Sequence, residues 1–280
     1  MICLDNSRKM EEEEEEEEEE EVSSFESKND NKSEDVNILD IKKIDKDTSK
    51  RITKRLLLKP IEMDFSPGII YIVGESGTGK TTLIKYLTKT LSSKNVKIQI
   101  YGTNLEDINY KTLGKMMSYM SQSYELFKFQ TIQQNIVSYN QFDQDIYRRV
   151  CELADIQFIN PDNELDNKKA TIEHLSAGER KKVHYARFLY QITINRNTNK
   201  YICLDEPTAA FDRKLSVAFF RQLKQLVKQL KLVAFVVDHS LLGIEDTSKV
   251  IFICNQEAHF GTHEELLENI PEYKELFTII

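Results

Sequence analysis

The apolar residues of this chain include short β-branched runs that predict buried strands. One run covers Ile69–Val73, another ends at Asp205, and two more cover residues 232–238 and 250–254. The last two of these runs are bounded by polar residues. Strands that are buried on both faces of a parallel sheet have this pattern, because neither face needs a polar side chain. The runs therefore predict an α/β domain with a mostly parallel sheet.

A helical pattern begins close to residue 176, in the stretch LSAGERKKVHYARFLY. Its apolar side chains recur at helical spacing, at Val183, Ala186, Leu189 and Tyr190. Ser176 followed three residues later by Glu179 is the pattern of a capping box, which predicts the start of the helix. Ala177 and Gly178 between them are small, so an anion could approach the free N–H groups at this end. The helix start is therefore a candidate phosphate site.

The charge of the chain is divided unevenly between a leader and the remainder. Residues 1–35 contain 16 acidic and 4 basic side chains, a net charge of −12, and Glu11–Glu21 is an unbroken acidic run. Residues 36–280 contain 30 acidic and 34 basic side chains, a net charge of +4. Because such a run repels itself, we expect a disordered acidic leader over residues 1–35 and a folded domain over residues 36–280.

The sequence shows neither the pattern of a membrane-spanning helix nor that of a cysteine metal site. The chain has no apolar run of 18 residues, so we expect no membrane-spanning helix of its own. Its four cysteines, at positions 3, 151, 203 and 254, lack metal-ligand spacing, and two of them lie in strand-like runs. This pattern predicts small core residues in a reducing compartment.

The turn after the first predicted strand matches a nucleotide-binding motif. The stretch GESGTGKT has the spacing G-x-x-x-x-G-K-[ST] and joins a predicted strand to a predicted helix, as this motif requires. The backbone N–H groups of such a loop face a phosphate, Lys80 would neutralise the β- and γ-phosphates, and the Thr81 hydroxyl would bind Mg²⁺. The candidate nucleotide-binding residues are Gly74, Glu75, Ser76, Gly77, Thr78, Gly79, Lys80, Thr81 and Thr82. We therefore expect the chain to bind a nucleoside triphosphate.

Two adjacent carboxylates, Asp205 and Glu206, follow the strand-like run in the stretch KYICLDEPTAAFD. The carboxyl end of a parallel strand is where α/β proteins hold ligands. Asp205 is placed to hold Mg²⁺ through water, as the acidic residue at this strand end does in P-loop proteins. Glu206 beside it would be the residue that orients and deprotonates an attacking water.

Five motifs in this order resemble those of ATP-binding-cassette (ABC) ATPases. They are the P-loop, YMSQSYELF with Gln122, LSAGE, ICLDEPTAAFD, and FVVDHS with His239. LSAGE is similar to the family's LSGGQ signature, with Ala177 for the first glycine and Glu179 for glutamine. The resemblance runs from about residue 36 to the end. It implies a P-loop α/β fold of the ABC ATPase type, with flanking helices and a helical subdomain over about residues 120–195.

The resemblance also implies roles for individual residues and a second chain. In ABC ATPases two cassettes pair head to tail, and the signature helix of one caps the γ-phosphate of ATP bound to the other. The residues implied for this contact are Ser176, Ala177, Gly178 and Glu179. Those implied for catalysis are Glu206, His239, Gln122 and Lys80, and those implied for Mg²⁺ are Thr81, Gln122 and Asp205. The cofactors are then ATP and Mg²⁺, and the partner is a second cassette, identical or paralogous.

Three further stretches resemble the nucleotide-binding domain of ABC exporters: LFKFQTIQQNI, RVCELADIQFI and GTHEELLENIPEYKELF. Three features depart from that branch. Exporters usually carry membrane helices on the same chain, whereas this sequence shows none. The Gly-Glu segment that precedes the signature in exporters is absent from residues 167–174, and the aromatic residue that stacks on adenine is absent from residues 43–50.

The predicted function is Mg²⁺-dependent ATP hydrolysis by a cassette dimer that powers transport through a separate transmembrane subunit. The chain would then be cytoplasmic and peripheral on the cytosolic face of a membrane, and no nucleic acid partner is expected. One alternative is a soluble ABC ATPase of the iron–sulfur assembly or translation type. Another is a regulatory cassette that binds ATP without hydrolysing it.

Overall fold

The computed structural model describes residues 67–92, 96, 98–100, 103–122, 126–163, 169–209, 211–238, 243–255 and 257–278, and the backbone of two short strands before them. The strands are β1 (Asn37–Asp40), β2 (Glu62–Asp64), β3 (Gly68–Val73), β4 (Gln99–Ile100), β5 (Thr103–Asn104), β6 (Met117–Met120), β7 (Tyr201–Asp205), β8 (Val233–Val237), β9 (Lys249–Cys254) and β10 (Glu257–Thr262). The α-helices are α1 (Lys80–Leu87), α2 (Tyr110–Met116), α3 (Ile132–Val137), α4 (Gln144–Leu153), α5 (Ala177–Ile194), α6 (Arg213–Leu230), α7 (His263–Asn269) and α8 (Pro271–Thr278), with a 3-10 turn at Leu105–Asp107.

Six strands form the central sheet in the order β10-β9-β3-β8-β7-β6. The neighbours from β9 to β6 pair in parallel, and β10 pairs antiparallel with β9 at the edge. The four strands predicted from apolar runs are β3, β7, β8 and β9. The predicted α/β fold with a mostly parallel sheet is therefore confirmed.

Successive side chains of β3 contribute to two different cores, one on each face of the sheet. Ile70 and Ile72 pack with the buried side of α1, whereas Tyr71 and Val73 pack with the buried sides of α5 and α6. Alternate residues of a strand point to opposite faces, and both faces of this sheet are covered by helices. For this reason the central strands read as continuous apolar runs.

The helical part of the chain between residues 126 and 194 contains α3 and α4, which both pack against α5. These elements lie within the predicted helical subdomain, whose limits stay a prediction. The predicted acidic leader lies outside the described residues. Among the helices of the described ranges, none is both long and apolar enough to cross a membrane.

Cys151 and Cys203 are free thiols buried in the core, and Cys254 is a free thiol that is half-buried. Burial raises the pKa of the Cys151 thiol to about 12, so this group stays protonated at neutral pH. The described part of the chain holds no group of three or more His, Cys, Asp and Glu side chains that could bind a metal ion. The burial of Cys151 and Cys203 agrees with the prediction of core cysteines, whereas Cys254 at the end of β9 is only partly buried.

Candidate active site

The predicted phosphate-binding loop connects β3 to α1 and packs closely against the neighbouring strand β9. A Cβ atom at Gly74 would lie 2.4 Å from the main-chain oxygen of Ile253, so this position has no room for a side chain. Gly79 precedes the first helical residue with φ of 106°, a left-handed conformation that favours glycine. Glu75, Ser76 and Gly77 form the exposed rim of the loop. The remaining candidate residues Thr78, Lys80, Thr81 and Thr82 lie in the loop or the first turn of α1.

The ammonium group of Lys80 lies inside this loop. Its Nζ donates hydrogen bonds to the main-chain oxygens of Gly74 at 2.7 Å and Glu75 at 2.8 Å, and the residue is 8% exposed. Burial lowers the pKa of Lys80, while the charges of Glu206 and Asp205 oppose this shift. A cation is thus held where the loop N–H groups would meet the phosphates of a nucleotide.

Thr81 and Asp205 meet beneath the loop, where the N-terminus of α1 faces the end of β7. The hydroxyl of Thr81 lies 3.3 Å from Oδ1 of Asp205. Oδ2 of Asp205 is buried and has no hydrogen-bond partner among the described residues. Burial raises the pKa of Asp205, and the Thr81 hydrogen bond opposes the rise. A hydroxyl and an unsatisfied carboxylate oxygen fit Mg²⁺, which prefers oxygen ligands.

Gln122 and Glu206 meet on the open side of this pair. Nε2 of Gln122, two residues after β6, donates a hydrogen bond of 2.8 Å to Oε2 of Glu206. The backbone of Glu206 has a φ of 50°, which is uncommon for a residue with a side chain, and its N–H donates to the oxygen of Val237 at 2.7 Å. The left-handed turn directs the carboxylate away from the line of β7 and toward Gln122. The structure therefore brings together the predicted Gln122, Asp205 and Glu206.

Lys181 is a further residue of this group that the motif analysis missed. It is only 2% exposed, and its Nζ lies 3.5 Å from the main-chain oxygen of Glu206. Burial lowers the pKa of Lys181, and the charges of Glu206, Asp205 and Asp238 oppose the shift. Lys181 lies in the charged stretch Glu179–Lys182, so local sequence gives no sign that its side chain is buried.

The signature residues form the first turn of α5, as predicted. Ser176 is the N-cap and forms a capping box with Glu179: the Ser176 N–H donates to Glu179 Oε2 at 2.8 Å, and the Glu179 N–H donates to Ser176 Oγ at 3.3 Å. The Ser176 hydroxyl also donates to Glu179 Oε2 at 2.7 Å. These bonds lower the pKa of Glu179. Ala177 is exposed, and a Cβ atom at Gly178 would meet nothing within 4 Å among the described residues.

The predicted His239 and two aspartates, Asp238 and Asp212, lie beyond Glu206 in the chain. His239 lies outside the described residues, and its contact with the γ-phosphate stays a prediction. Asp238 before it accepts a hydrogen bond of 2.6 Å from the hydroxyl of Thr208. Asp212 is the N-cap of α6 and accepts from the N–H of Leu215 at 2.8 Å.

A cleft of about 950 Å³ lies next to the first turn of α5. It is lined by Leu126, Phe127, Lys128, Phe129, Gln130, Ile172, Leu175, Ala177 and Arg180. Phe129 is 98% exposed and Phe127 is 36% exposed. Exposed apolar surfaces of this kind mark protein–protein or membrane contacts or ligand-binding grooves.

Comparison with known protein families gives a match to the family described as ABC transporter over residues 58–209. This segment is more than half of the chain, and it contains the P-loop, Gln122, the signature residues and both carboxylates of the site.

Several characterised proteins are similar to the chain. "Bacitracin export ATP-binding protein BceA" of Halalkalibacterium halodurans is 28% identical over 236 residues, which cover 81% of this chain and 89% of that protein. "ATP-dependent lipid A-core flippase" of Mannheimia succiniciproducens is 30% identical over 230 residues, 78% of this chain and 37% of that protein. "ABC transporter ATM1" of Plasmodium falciparum is 28% identical over 213 residues, 74% of this chain and 19% of that protein. The chain therefore spans much less than half of the flippase and of ATM1.

Among solved structures, a bacterial Atm1-family ABC exporter with ATP bound has the same fold. The two superimpose with a TM-score of 0.72 at 18% sequence identity, over 88% of this chain and 42% of that one. At this identity the likeness concerns the fold. Together with the family match and the P-loop and carboxylate geometry, it identifies the chain as a member of the ABC transporter family that carries the family's ATP-binding domain, an ATPase.

Proposed function

We propose that this chain hydrolyses Mg²⁺-ATP within a head-to-tail dimer of cassettes and powers transport through a separate transmembrane subunit. The observation that carries the proposal is the hydrogen bond of 2.8 Å between Gln122 and Glu206, next to the contact of Thr81 with Asp205. A carboxylate held by a glutamine at the mouth of a P-loop site suits the activation of water. A cassette that only binds ATP would not need this arrangement.

The binding half of the reaction depends on the loop and on Lys80. The N–H groups of the loop and the N-terminus of α1 hold the phosphates. The Lys80 ammonium, which bonds to the carbonyls of Gly74 and Glu75, turns toward the β- and γ-phosphates when a nucleotide is present. Thr81, Asp205 and Gln122 would hold Mg²⁺, which when bound neutralises charge on the phosphate oxygens.

The chemical half depends on Glu206. Its carboxylate accepts a proton from the attacking water, and Gln122 keeps the carboxylate oriented through the hydrogen bond to Oε2. The left-handed backbone of Glu206 fixes the direction of the side chain from the end of β7. In this proposal His239 adds the contact with the γ-phosphate that was predicted from its spacing.

The head-to-tail dimer is supported by the first turn of α5. The capping box explains Ser176 and Glu179, but a Cβ atom at Gly178 would meet nothing within 4 Å among the described residues. Glycine weakens a helix relative to alanine, so its presence at an uncrowded position suits the close approach of a group from outside the chain. The γ-phosphate of ATP bound to a partner cassette is such a group, and the helix N-terminus favours its charge.

Two experiments test the hydrolytic dimer. Glu206→Gln should abolish ATP turnover and accumulate an ATP-bound dimer in size-exclusion chromatography, because binding remains while water activation is lost. Lys80→Ala and Ser176→Arg chains, each inactive alone, should regain part of the turnover when mixed, because one of the two composite sites is then intact. Wild-type turnover in Glu206→Gln contradicts the role of Glu206. Mixed chains that pair without turnover contradict capping by the partner.

The transmembrane subunit is supported by the cleft beside the first turn of α5. Asn135 of α3 accepts the Phe127 N–H at 2.8 Å, and Arg187 of α5 donates to both oxygens of Asn135, at 2.6 Å and 2.7 Å. The Arg187 guanidinium also lies 5.2 Å from the centre of the Phe127 ring. A partner that inserts an apolar segment beside Phe127 and Phe129 would therefore act on the helix whose first turn caps ATP.

Affinity capture from detergent-solubilised membranes tests this assignment. The wild-type chain should retain a polytopic membrane protein in near-equal amount, and Phe129→Ser should lose it. Tyr110→Ser is the matched control, because Tyr110 is an exposed aromatic residue, 71% accessible, on α2 rather than in the cleft. Recovery of interacting proteins only from the soluble fraction would instead favour an ABC ATPase that works away from membranes.

A further inference from the structure

Helix α6 carries a basic stripe that the ATPase reaction does not use. Six cations lie on one side of this helix and its C-cap: Arg213, Lys214, Arg221, Lys224, Lys228 and Lys231. At 3.6 residues per turn, these positions fall within about 100° of the helix circumference. A different side of the helix, centred about 120° away from these cations, buries Phe219, Phe220, Leu223 and Val227 in the core. We call the six cations the α6 stripe.

Helix α6 itself provides no acidic side chain to balance the charge of the α6 stripe. The sequence Arg213–Leu230 contains no Asp or Glu. Within the described part of the chain, Lys224 is the only member of the stripe with an ion pair, formed with Glu245. Five members are exposed, and Lys224 is half-buried. Like charges three or four residues apart destabilise a helix, so an acidic partner along this side would stabilise α6.

The same chain contains a segment of matching charge and length. Glu11–Glu21 is a run of eleven glutamates. The stripe extends over about 27 Å at a rise of 1.5 Å per residue. An extended run of eleven residues reaches about 36 Å, so the run can cover the whole stripe. The stripe gathers six of the 34 basic side chains of a domain whose net charge is only +4, which makes it a concentrated basic surface.

The connection between the two segments is long enough. Residues 22–36 separate the glutamate run from β1, and fifteen residues reach at most about 50 Å. β1 contacts β4, whose Ile100 belongs to the core on the α1 side of the sheet, whereas α6 covers the other side. Neighbouring strands are about 4.8 Å apart, so the six-stranded sheet is about 24 Å wide, and the connection is long enough to pass around its edge to α6.

We propose that the Glu11–Glu21 run lies along the α6 stripe of its own chain. A tethered segment has an effective concentration in the millimolar range, which lets a weak contact between charged side chains form within one chain. The contact shields the stripe from other anionic surfaces. Because exposed charges are screened over about 8 Å at physiological ionic strength, the contact weakens as salt rises.

Zero-length carbodiimide crosslinking of the full chain tests the proposal, because it joins carboxylates to lysines in direct contact. Mass spectrometry should find the Glu11–Glu21 peptide joined to Lys224 and Lys231 at low salt, with a yield at least tenfold lower at about 1 M salt, where screening extends over only about 3 Å. The test variant is Lys214→Gln, Arg221→Gln and Lys228→Gln together. Glutamine removes the charge without adding a carboxylate that could compete for Lys224 and Lys231, so a tenfold loss of these crosslinks reports the lost contact.

Two controls separate this contact from non-specific attraction. Reversal of three exposed lysines away from α6, Lys111→Glu, Lys169→Glu and Lys274→Glu, should leave the crosslinks at Lys224 and Lys231 unchanged. In a chain that carries Lys214→Glu, Arg221→Glu and Lys228→Glu, reversal of the leader run to lysine should give crosslinks between leader lysines and these three carboxylates. Leader crosslinks to Lys224 and Lys231 that survive neutralisation of the stripe, or whose yield rises with protein concentration, overturn the proposal.

Discussion

The side-chain amide of Gln122 donates a hydrogen bond of 2.8 Å to Oε2 of Glu206, across the ends of two adjacent strands. Gln122 follows β6 and Glu206 follows β7, and these strands pair in parallel, so their carboxyl ends lie side by side. The bond ties the residue that would activate water to a side chain that follows the neighbouring strand β6.

Loss of the Gln122 amide should slow hydrolysis more than it weakens ATP binding. We expect Gln122→Ala to lower kcat by about 10- to 100-fold with little change in KM, because misplacement of a reacting group by about 1 Å can cost 100-fold. Steady-state phosphate release measures both constants. Gln225→Ala, on the exposed side of α6, is the matched control and should match the wild type. An increase in KM with unchanged kcat would assign Gln122 to nucleotide binding instead.

Lys181 gives a second test of how Glu206 is positioned. Its ammonium lies 3.5 Å from the Glu206 carbonyl, at the long limit of a hydrogen bond, so it acts on Glu206 mainly through its charge and position. We expect Lys181→Met to lower kcat by about tenfold or more, whereas Lys181→Arg should keep part of the activity. Since the substitution removes a buried charge, the Tm of Lys181→Met should not fall.

The neighbouring lysine is the control for this prediction. Lys182 pairs with Asp155 at 2.6 Å and is partly exposed, so Lys182→Met removes an ion pair without touching Glu206. It should leave kcat near the wild-type value. A kcat of Lys181→Met that equals the kcat of Lys182→Met would show that Lys181 does not position Glu206.

Much of this site could be predicted from local sequence, because its main parts are local structures. The P-loop, the capping box of Ser176 with Glu179, and the carboxylates after β7 depend on residues that are close together along the chain. The parallel sheet could also be predicted, because strands covered on both faces leave continuous apolar runs. For these features, short stretches of sequence contain the physical cause.

Other features depend on contacts between distant segments, which local patterns do not specify. Lys181 belongs to a charged run that reads as exposed, and it is buried only because β7 and its following turn lie against α5. The left-handed backbone of Glu206 is likewise supported by a hydrogen bond to Val237 in another strand. The cleft combines residues from either side of α4, so no single stretch predicts it.

Two glycines of the site should respond in opposite ways to the same substitution. Gly74→Ala places a Cβ atom 2.4 Å from the backbone of Ile253 and should destabilise the fold by about 1–3 kcal/mol, as overpacking does. Gly178→Ala meets no atom within 4 Å and should keep or raise the Tm, because alanine favours the helix.

Thermal unfolding without nucleotide measures the stability of both variants, and phosphate release measures their activity. Because the partner's γ-phosphate would approach Gly178, Gly178→Ala should reduce turnover despite its intact fold. Equal unfolding temperatures for Gly74→Ala and the wild type would show that β9 can move away from the loop. Full turnover of Gly178→Ala would contradict the close approach proposed for the first turn of α5.

We expect the ionised carboxylate of Asp205 to lower the stability of the folded chain at neutral pH when no metal ion is bound. Burial raises its pKa, so the folded state disfavours the ionised form. As pH rises from the ordinary Asp pKa of about 3.9 through the raised value, the folded state loses stability, and the loss is complete above both. In EDTA at pH 7 we therefore expect Asp205→Asn to have a higher Tm than the wild type, with the difference vanishing near pH 3.

The exposed Asp145→Asn, whose carboxylate is 91% accessible, is the control and should change the Tm little at either pH. Addition of Mg²⁺-ATP should reverse the order of the two chains. A ligand that binds the folded state raises its Tm, and Asp205→Asn lacks the carboxylate that would hold the ion. If the ligand raises the Tm of both chains equally, Asp205 does not contribute to the metal site. An Asp205→Asn chain that is less stable than the wild type in EDTA at pH 7 would show that the carboxylate stabilises the fold.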